Sequence, residues 1–205
     1  MHFKLTKEII KLSESDFWES ARNEWTFEYA YYSDDLQRCL CGHYPIKNIC
    51  VIKNKLNKTQ TEVGNCCVNK FLGIDDGNKI FTSIRRLKED STKSMSLEVL
   101  EYLYGKKVLS EFEYKFYLGT IRKRKLSDKQ IEIRKKINLK LIDFTSYESN
   151  SNFSKINLVL KWAENNIWFD TSFMDSLKQS CERKGCLTDN QLNALDNIIK
   201  KLKIK

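Results

Sequence analysis

The 205 residues contain one proline, Pro45, two histidines, His2 and His43, and seven glycines. No apolar run approaches the roughly 18 residues that a membrane-spanning helix needs. The opening stretch, Met1-His2-Phe3-Lys4-Leu5-Thr6-Lys7, lacks the apolar core of a secretion signal. The expectation is a soluble, cytoplasmic protein that makes no use of a membrane. With only two histidines, neither an H-x-E nor an H-E-x-x-H arrangement occurs, so a zinc-activated water has no general base of that kind beside it. Clustered acids at a spacing suited to a metal-dependent nuclease are missing too, as is an oxyanion motif beside a nucleophile. Enzymatic chemistry is not expected.

Cysteine is the residue present in excess. Seven occur, an odd number in a long chain, and five of them fall between Cys39 and Cys67. That distribution excludes a secreted disulfide scaffold and points to a reducing compartment. The 41% apolar content supplies a sizeable core, so the chain is globular. Its 36 Lys and Arg against 27 Asp and Glu leave a formal charge of +9, which favours anionic partners.

The coarse pattern is α+β. A helix start at Ser13-Glu14-Ser15-Asp16 leads into Phe17–Asn23, and the aromatic run Thr26–Tyr32 is β-prone. Ile46–Ile52 and Thr61–Gly64 read as a hairpin closed by the polar turn 54–59, with a helical turn opening at 66–72. Beyond residue 80 the chain is helical and repeats itself. Val99–Gln130 aligns with Val159–Gln191, Phe112 with Phe173 and Phe116 with Leu177. Each copy carries a hydroxyl three residues before a glutamine, Ser127 with Gln130 and Thr188 with Gln191, preceded by Leu126 or Leu187: a capping box with a hydrophobic staple. Two related helical hairpins follow, about 110–140 and 172–202. The expected organisation is an aromatic segment and small β module over 1–76, a first helical repeat over 77–144, a Ser/Asn-rich linker over 145–154 and a second repeat over 155–205.

Cys39-Leu40-Cys41-Gly42-His43 and the later Cys66-Cys67 supply soft ligands at metal-binding spacing. Zinc takes four such ligands in a tetrahedron, and a small β module gains rigidity from it. Cys39, Cys41 and His43 alternate, and Gly42 lets the backbone curl toward an ion. Cys67 is the expected closing ligand, because a chain leaving Val63-Gly64 would start a helix there, whose amides favour thiolate. The expected set for Zn2+ is therefore Cys39, Cys41, His43 and Cys67. Cys66 remains an alternative to Cys67, and Cys50 to His43. Buried thiols of a reduced protein are the competing reading. Cys181 and Cys186 read as structural or surface thiols.

Cys39-x-Cys41-Gly42-His43, Ile46, Asn54 and Val63-Gly64-x-x-Cys67-Val68-x-x-Phe71, with Glu24-Trp25 upstream, resemble a zinc-finger-like module of largely uncharacterised bacterial and phage proteins. The match covers about residues 20–75, and departs from the pattern at Tyr44-Pro45 and in the extra Cys50 and Cys66. The resemblance implies zinc and a contact role toward nucleic acid or protein, and implies no reaction.

The charge is concentrated. Residues 115–140 hold ten bases, Lys115, Arg122, Lys123, Arg124, Lys125, Lys129, Arg134, Lys135, Lys136 and Lys140, against Asp128 and Glu132. Such a patch attracts phosphate without reading sequence, and nearby tyrosines favour single strands. Arg122, Lys123, Arg124, Lys125, Lys129, Arg134, Lys135 and Lys136 are the expected nucleic-acid (DNA or RNA) contacts. A solvated helix face is the competing reading. The expected function is non-enzymatic nucleic-acid binding with a structural zinc. The alternative is an adaptor or inhibitor of another protein, of the phage–host conflict type, acting through the aromatic N-terminal segment and the helical repeats.

Overall fold

A computed structural model describes residues 3–72, 76–184 and 186–204, without the side chains of Asp34, Asp76, Arg183 and Lys184. Among these residues the α+β organisation holds, with one antiparallel sheet near the N-terminus and helices through the rest of the chain. The chain divides into two compact units, Met1–Glu89 and Asp90–Lys205.

In the first unit, α1 (Phe3–Lys11) and α2 (Trp18–Asn23) precede β1 (Trp25–Gln37), β2 (Ile46–Asn54) and β3 (Gln60–Gly64), followed by α3 (Asn65–Leu72) and α4 (Asp76–Glu89). β2 lies in the centre of the sheet, pairing antiparallel with β1 and β3. Its run Ile49–Ile52 is buried throughout, as a central strand covered on both faces requires. Tyr31, Ile49 and Val51 form a buried cluster with Tyr29 and Ile46 against it. Register shifts at Phe27/Tyr29 and Tyr32/Gln37 accommodate the length of β1.

The β2–β3 turn is built from asparagine side chains. Asn54 Oδ1 accepts from the amides of Leu56 and Asn57, and Asn57 Oδ1 accepts from that of Thr59. These are Asx-type contacts that close a hairpin without proline. The start of α2 differs from the sequence expectation. Its N-cap is Phe17, without a side-chain cap bond, and the Ser15 hydroxyl instead accepts from the Phe17 amide as part of a local turn.

The boundary also differs from residue 76. Helix α4 packs on α3 and β1, so its buried Ile80, Phe81, Ile84 and Leu87 belong to the first unit. Glycine at 77 permits this approach: a Cβ there would stand 2.8 Å from Cys50 Sγ.

The second unit is two runs of three helices, α5 (Leu97–Gly105), α6 (Glu111–Thr120) and α7 (Asp128–Phe144), then α8 (Tyr147–Glu164), α9 (Ser172–Lys184) and α10 (Asp189–Lys201). The capping boxes of α7 at Ser127/Gln130 and α10 at Thr188/Gln191 are both formed, and a third at Ser110/Glu113 starts α6. The aligned cores are not equivalent. Leu177 is fully buried, but on α6 the fully buried ring is Tyr117, one residue past the aligned Phe116.

The Ser/Asn-rich stretch 145–154 is not a linker. Thr145 caps α7, Ser146 N-caps α8, and Ser149, Asn150, Asn152 and Phe153 are buried in the first turns of α8. Small polar residues here terminate and start helices, a use that composition alone does not distinguish from a loop.

Candidate metal centre and cationic loop

The Cys39–His43 segment is a tight turn. The Cys39 amide donates to the His43 carbonyl at 2.9 Å and the Gly42 amide to the Cys39 carbonyl at 2.7 Å. Gly42 has φ +91°, a conformation that L side chains rarely adopt. The turn aims Cys39 and Cys41 inward, where both are buried. The third sulfur arrives from the other side of the hairpin: β3 ends at Gly64, α3 begins at Asn65, and Cys67 sits in its first turn.

The sulfurs of Cys39, Cys41 and Cys67 lie within 4.8 Å of one another, close enough to hold a metal ion. Cys39 and Cys67 are 3.6 Å apart. A tetrahedral zinc with sulfur at about 2.3 Å has edges of about 3.8 Å, so this spacing fits a thiolate-bound ion. The electrostatics also favour thiolate. The Cys67 thiol hydrogen bond, opposed by burial and helped by the Gly64 and Cys41 amides, brings the Cys39 thiol down to about 5. The Gly64 amide donates at 3.2 Å. The proton of the pair stays on Cys67, whose pKa is raised by the Cys39 contact first and by burial second.

Three of the four expected ligands are therefore brought together, and His43 is not. That residue is exposed, and its ring nitrogens fall outside the sulfur cluster. Neither neighbouring thiol replaces it. Cys66 is exposed, while Cys50 is fully buried on β2 against Gly77, and burial pushes its thiol up to about 12. Cys50 is a core residue. Cys181 is likewise buried, beside the Ser149 hydroxyl.

In the second unit, residues 121–127 connect α6 to α7, and Arg122, Lys123, Arg124 and Lys125 are all exposed there. Among the described residues none of the four joins an ion pair. Lys129, Lys135 and Lys136 are exposed on α7. Arg134 is a correction. It is only 4% exposed, donates to the Thr120 carbonyl and lies over the Tyr117 ring, so it holds α7 to α6 and cannot reach a phosphate. Helical spacing carries that signal: 134, 137, 138, 141 and 144 form one stripe, all buried. Lys140 and Lys115 are tied to Glu113 and Glu111.

A scan against protein-family models and searches of curated proteins and of solved structures return no match.

Proposed function

We propose that this is a non-enzymatic nucleic-acid-binding protein whose first unit is fastened by a structural Zn2+ and whose α6–α7 loop contacts phosphates. Cys39, Cys41 and Cys67 would hold the ion, which would supply a cross-link between the Cys39–His43 turn and α3. Three thiolates leave one position of a zinc tetrahedron to a ligand from outside the trio. The observation that carries the binding role is the run Arg122-Lys123-Arg124-Lys125, exposed and without ion pairs among the described residues. Unneutralised cations on a short loop recover counterion-release free energy when they meet a polyanion, whatever its sequence.

The test is binding of the full chain to generic single-stranded and duplex DNA and to RNA at low salt, with the variant R122E/K123E/R124E/K125E beside it. Binding that disappears in the variant supports the reading. Full retention in the variant, or no binding by the parent chain, overturns it.

A second reading, a protein-binding adaptor, has one specific observation in its favour. Between α8 and α9 the side chains of Ile167 and Trp168 are 97% and 70% exposed, and Trp168 meets Trp162 and Phe169 edge-on. A stoichiometric protein that stays bound after nuclease treatment, and is lost in I167S/W168S, would favour it.

A further inference from the structure

The first unit contains a cleft of about 560 Å³ between the sheet and α4, within the size range of small-molecule sites. Tyr32 of β1 and its register partner Asn48 of β2 form one wall. The regular β1–β2 pairing breaks just beyond Tyr32, which is half-buried. The opposite wall is one face of α4: Phe81, Ile84 and Arg85, and Lys88 follow helical spacing. Phe81 and Ile84 are buried and make an apolar floor, whereas Arg85 and Lys88 are exposed at its edge.

Two lysines flank the Tyr32 ring: Lys88 of the lining, its Nζ 5.2 Å from the centroid, and Lys47, outside the lining, its Nζ at 5.9 Å, both within cation–π range. Among the described residues, Lys47, Arg85 and Lys88 make no ion pair. Among the described residues Glu89 is the one carboxylate in the lining.

The geometry points to a nucleotide site: the cleft takes a nucleoside phosphate, its base against Tyr32 and the apolar floor, its phosphate against Arg85 and Lys88. Each part of the lining then has a partner. A planar base takes the ring face and the Asn48 amide as the Lys88 ammonium swings from the ring to the phosphate, and Glu89 accepts from a ribose hydroxyl or a base amino group. An inorganic anion would satisfy the cations and leave the ring, the floor and the carboxylate without a role. The ligand is either a free nucleotide or one unit of a single strand, since both present the same base and phosphate. The inference stands on the first unit alone and does not rest on the α6–α7 loop.

Isothermal titration of the full chain at low salt with adenosine monophosphate, a short oligothymidylate and inorganic phosphate tests it. Binding of the monophosphate or the oligonucleotide should exceed that of inorganic phosphate. A free nucleotide as natural ligand gives binding of the monophosphate itself, and a strand gives binding of the oligonucleotide only. Tyr32→Leu keeps most of the bulk and should weaken binding about five- to hundredfold, the range of base stacking on an aromatic ring. R85Q/K88Q alters only exposed side chains and should weaken it about tenfold or more. R122E/K123E/R124E/K125E should leave monophosphate binding intact, and in that variant Tyr32→Leu should weaken it as it does in the parent chain. No binding of either nucleotide, equal binding of inorganic phosphate, or affinities unmoved in both Tyr32→Leu and R85Q/K88Q would overturn the inference.

Discussion

The carboxylate of Glu24 accepts a 2.6 Å hydrogen bond from Asn54 Nδ2, joining the start of β1 to the end of β2 with both side chains buried. The same carboxylate accepts from the amides of Glu14 and Ser15 at 2.9 Å, while Asn54 Oδ1 organises the β2–β3 turn. One buried charge thus orders three segments. Burial pushes the Glu24 pKa up, but the Asn54 amide and the two backbone donors outweigh it and hold it below the ordinary 4.5.

A carboxyl group depressed in the folded state stabilises fully above its unfolded value, and that stabilisation is lost as pH falls through the folded one. Glu24→Gln faces one donor with another donor, at a cost of about 2–4 kcal/mol near neutral pH. It should also flatten the fall of stability below pH 4.5. Chemical denaturation of both chains from pH 7 to pH 3 measures this, and parallel pH curves would show that Glu24 contributes nothing to acid sensitivity.

The candidate metal centre brings the three cysteines together without His43. Elemental analysis should find about one zinc per chain. Cys39→Ala, Cys41→Ala and Cys67→Ala should each lose it, whereas His43→Ala should retain it, since the ring lies outside the sulfur cluster. At a free metal concentration about a thousand times Kd, binding adds about 4 kcal/mol, so a chelator should lower the melting temperature of the parent and of His43→Ala alike. Loss of zinc from His43→Ala would place the imidazole in the coordination shell.

Cys50 and Gly77 offer a packing test of the thiol assigned to the core. A methyl group at 77 would meet Cys50 Sγ at 2.8 Å. Overpacking of this kind costs about 1–3 kcal/mol, partly offset by the better helix propensity of alanine. Gly77→Ala should be destabilising alone and less so in a Cys50→Ala background. A double-mutant cycle by urea unfolding reads the coupling, and additivity within about 0.5 kcal/mol would show the two sites to be independent.

Local chemistry made much of this legible in the sequence. The capping boxes at Ser127 and Thr188, the hairpin around Asn54 and the helix start beside Cys67 each depend on neighbours a few residues away. Which donors of the turn meet was not legible: C-x-C-G-H gives three, and only the folded placement leaves His43 exposed and outside the sulfur cluster. Counting bases over 115–140 also hid the fate of Arg134, which was legible only in the helical stripe it shares with Ile137, Asn138, Leu141 and Phe144. Tyr32, Asn48, Arg85 and Lys88 come from three separated segments, and the sequence holds no pattern that unites them.

Asn138 is the centre of a buried polar network in the second unit. Its Nδ2 donates to the carbonyls of Ser91 and Lys93, and its Oδ1 accepts from the Tyr117 hydroxyl, which itself accepts from the Met95 amide. The side chain ties the segment before α5 to α6 and α7. Asn138→Ala leaves three groups without their partner and should cost about 3–5 kcal/mol. Asn138→Leu should fare no better, because the bulk returns without the hydrogen bonds. Thermal or urea unfolding measures both, and a loss below about 1 kcal/mol would mean that water replaces the amide.

The burial of Arg134 and the exposure of the α6–α7 loop give opposite expectations for ionic strength. If Arg122, Lys123, Arg124 and Lys125 each meet one phosphate of a single strand, they contribute a slope of about −3 to log K against log salt. Neutralising them one at a time to glutamine should shallow the slope by about 0.7 per step. Arg134→Met should leave the slope unchanged, because that guanidinium is spent on the Thr120 carbonyl and the Tyr117 ring. Its effect should fall on stability instead, with a loss of about 1–3 kcal/mol from the unpaired carbonyl. Binding titrations across a tenfold salt range distinguish the cases, and a slope that shallows in Arg134→Met but not in the loop variants would move the contact surface from the loop onto α7.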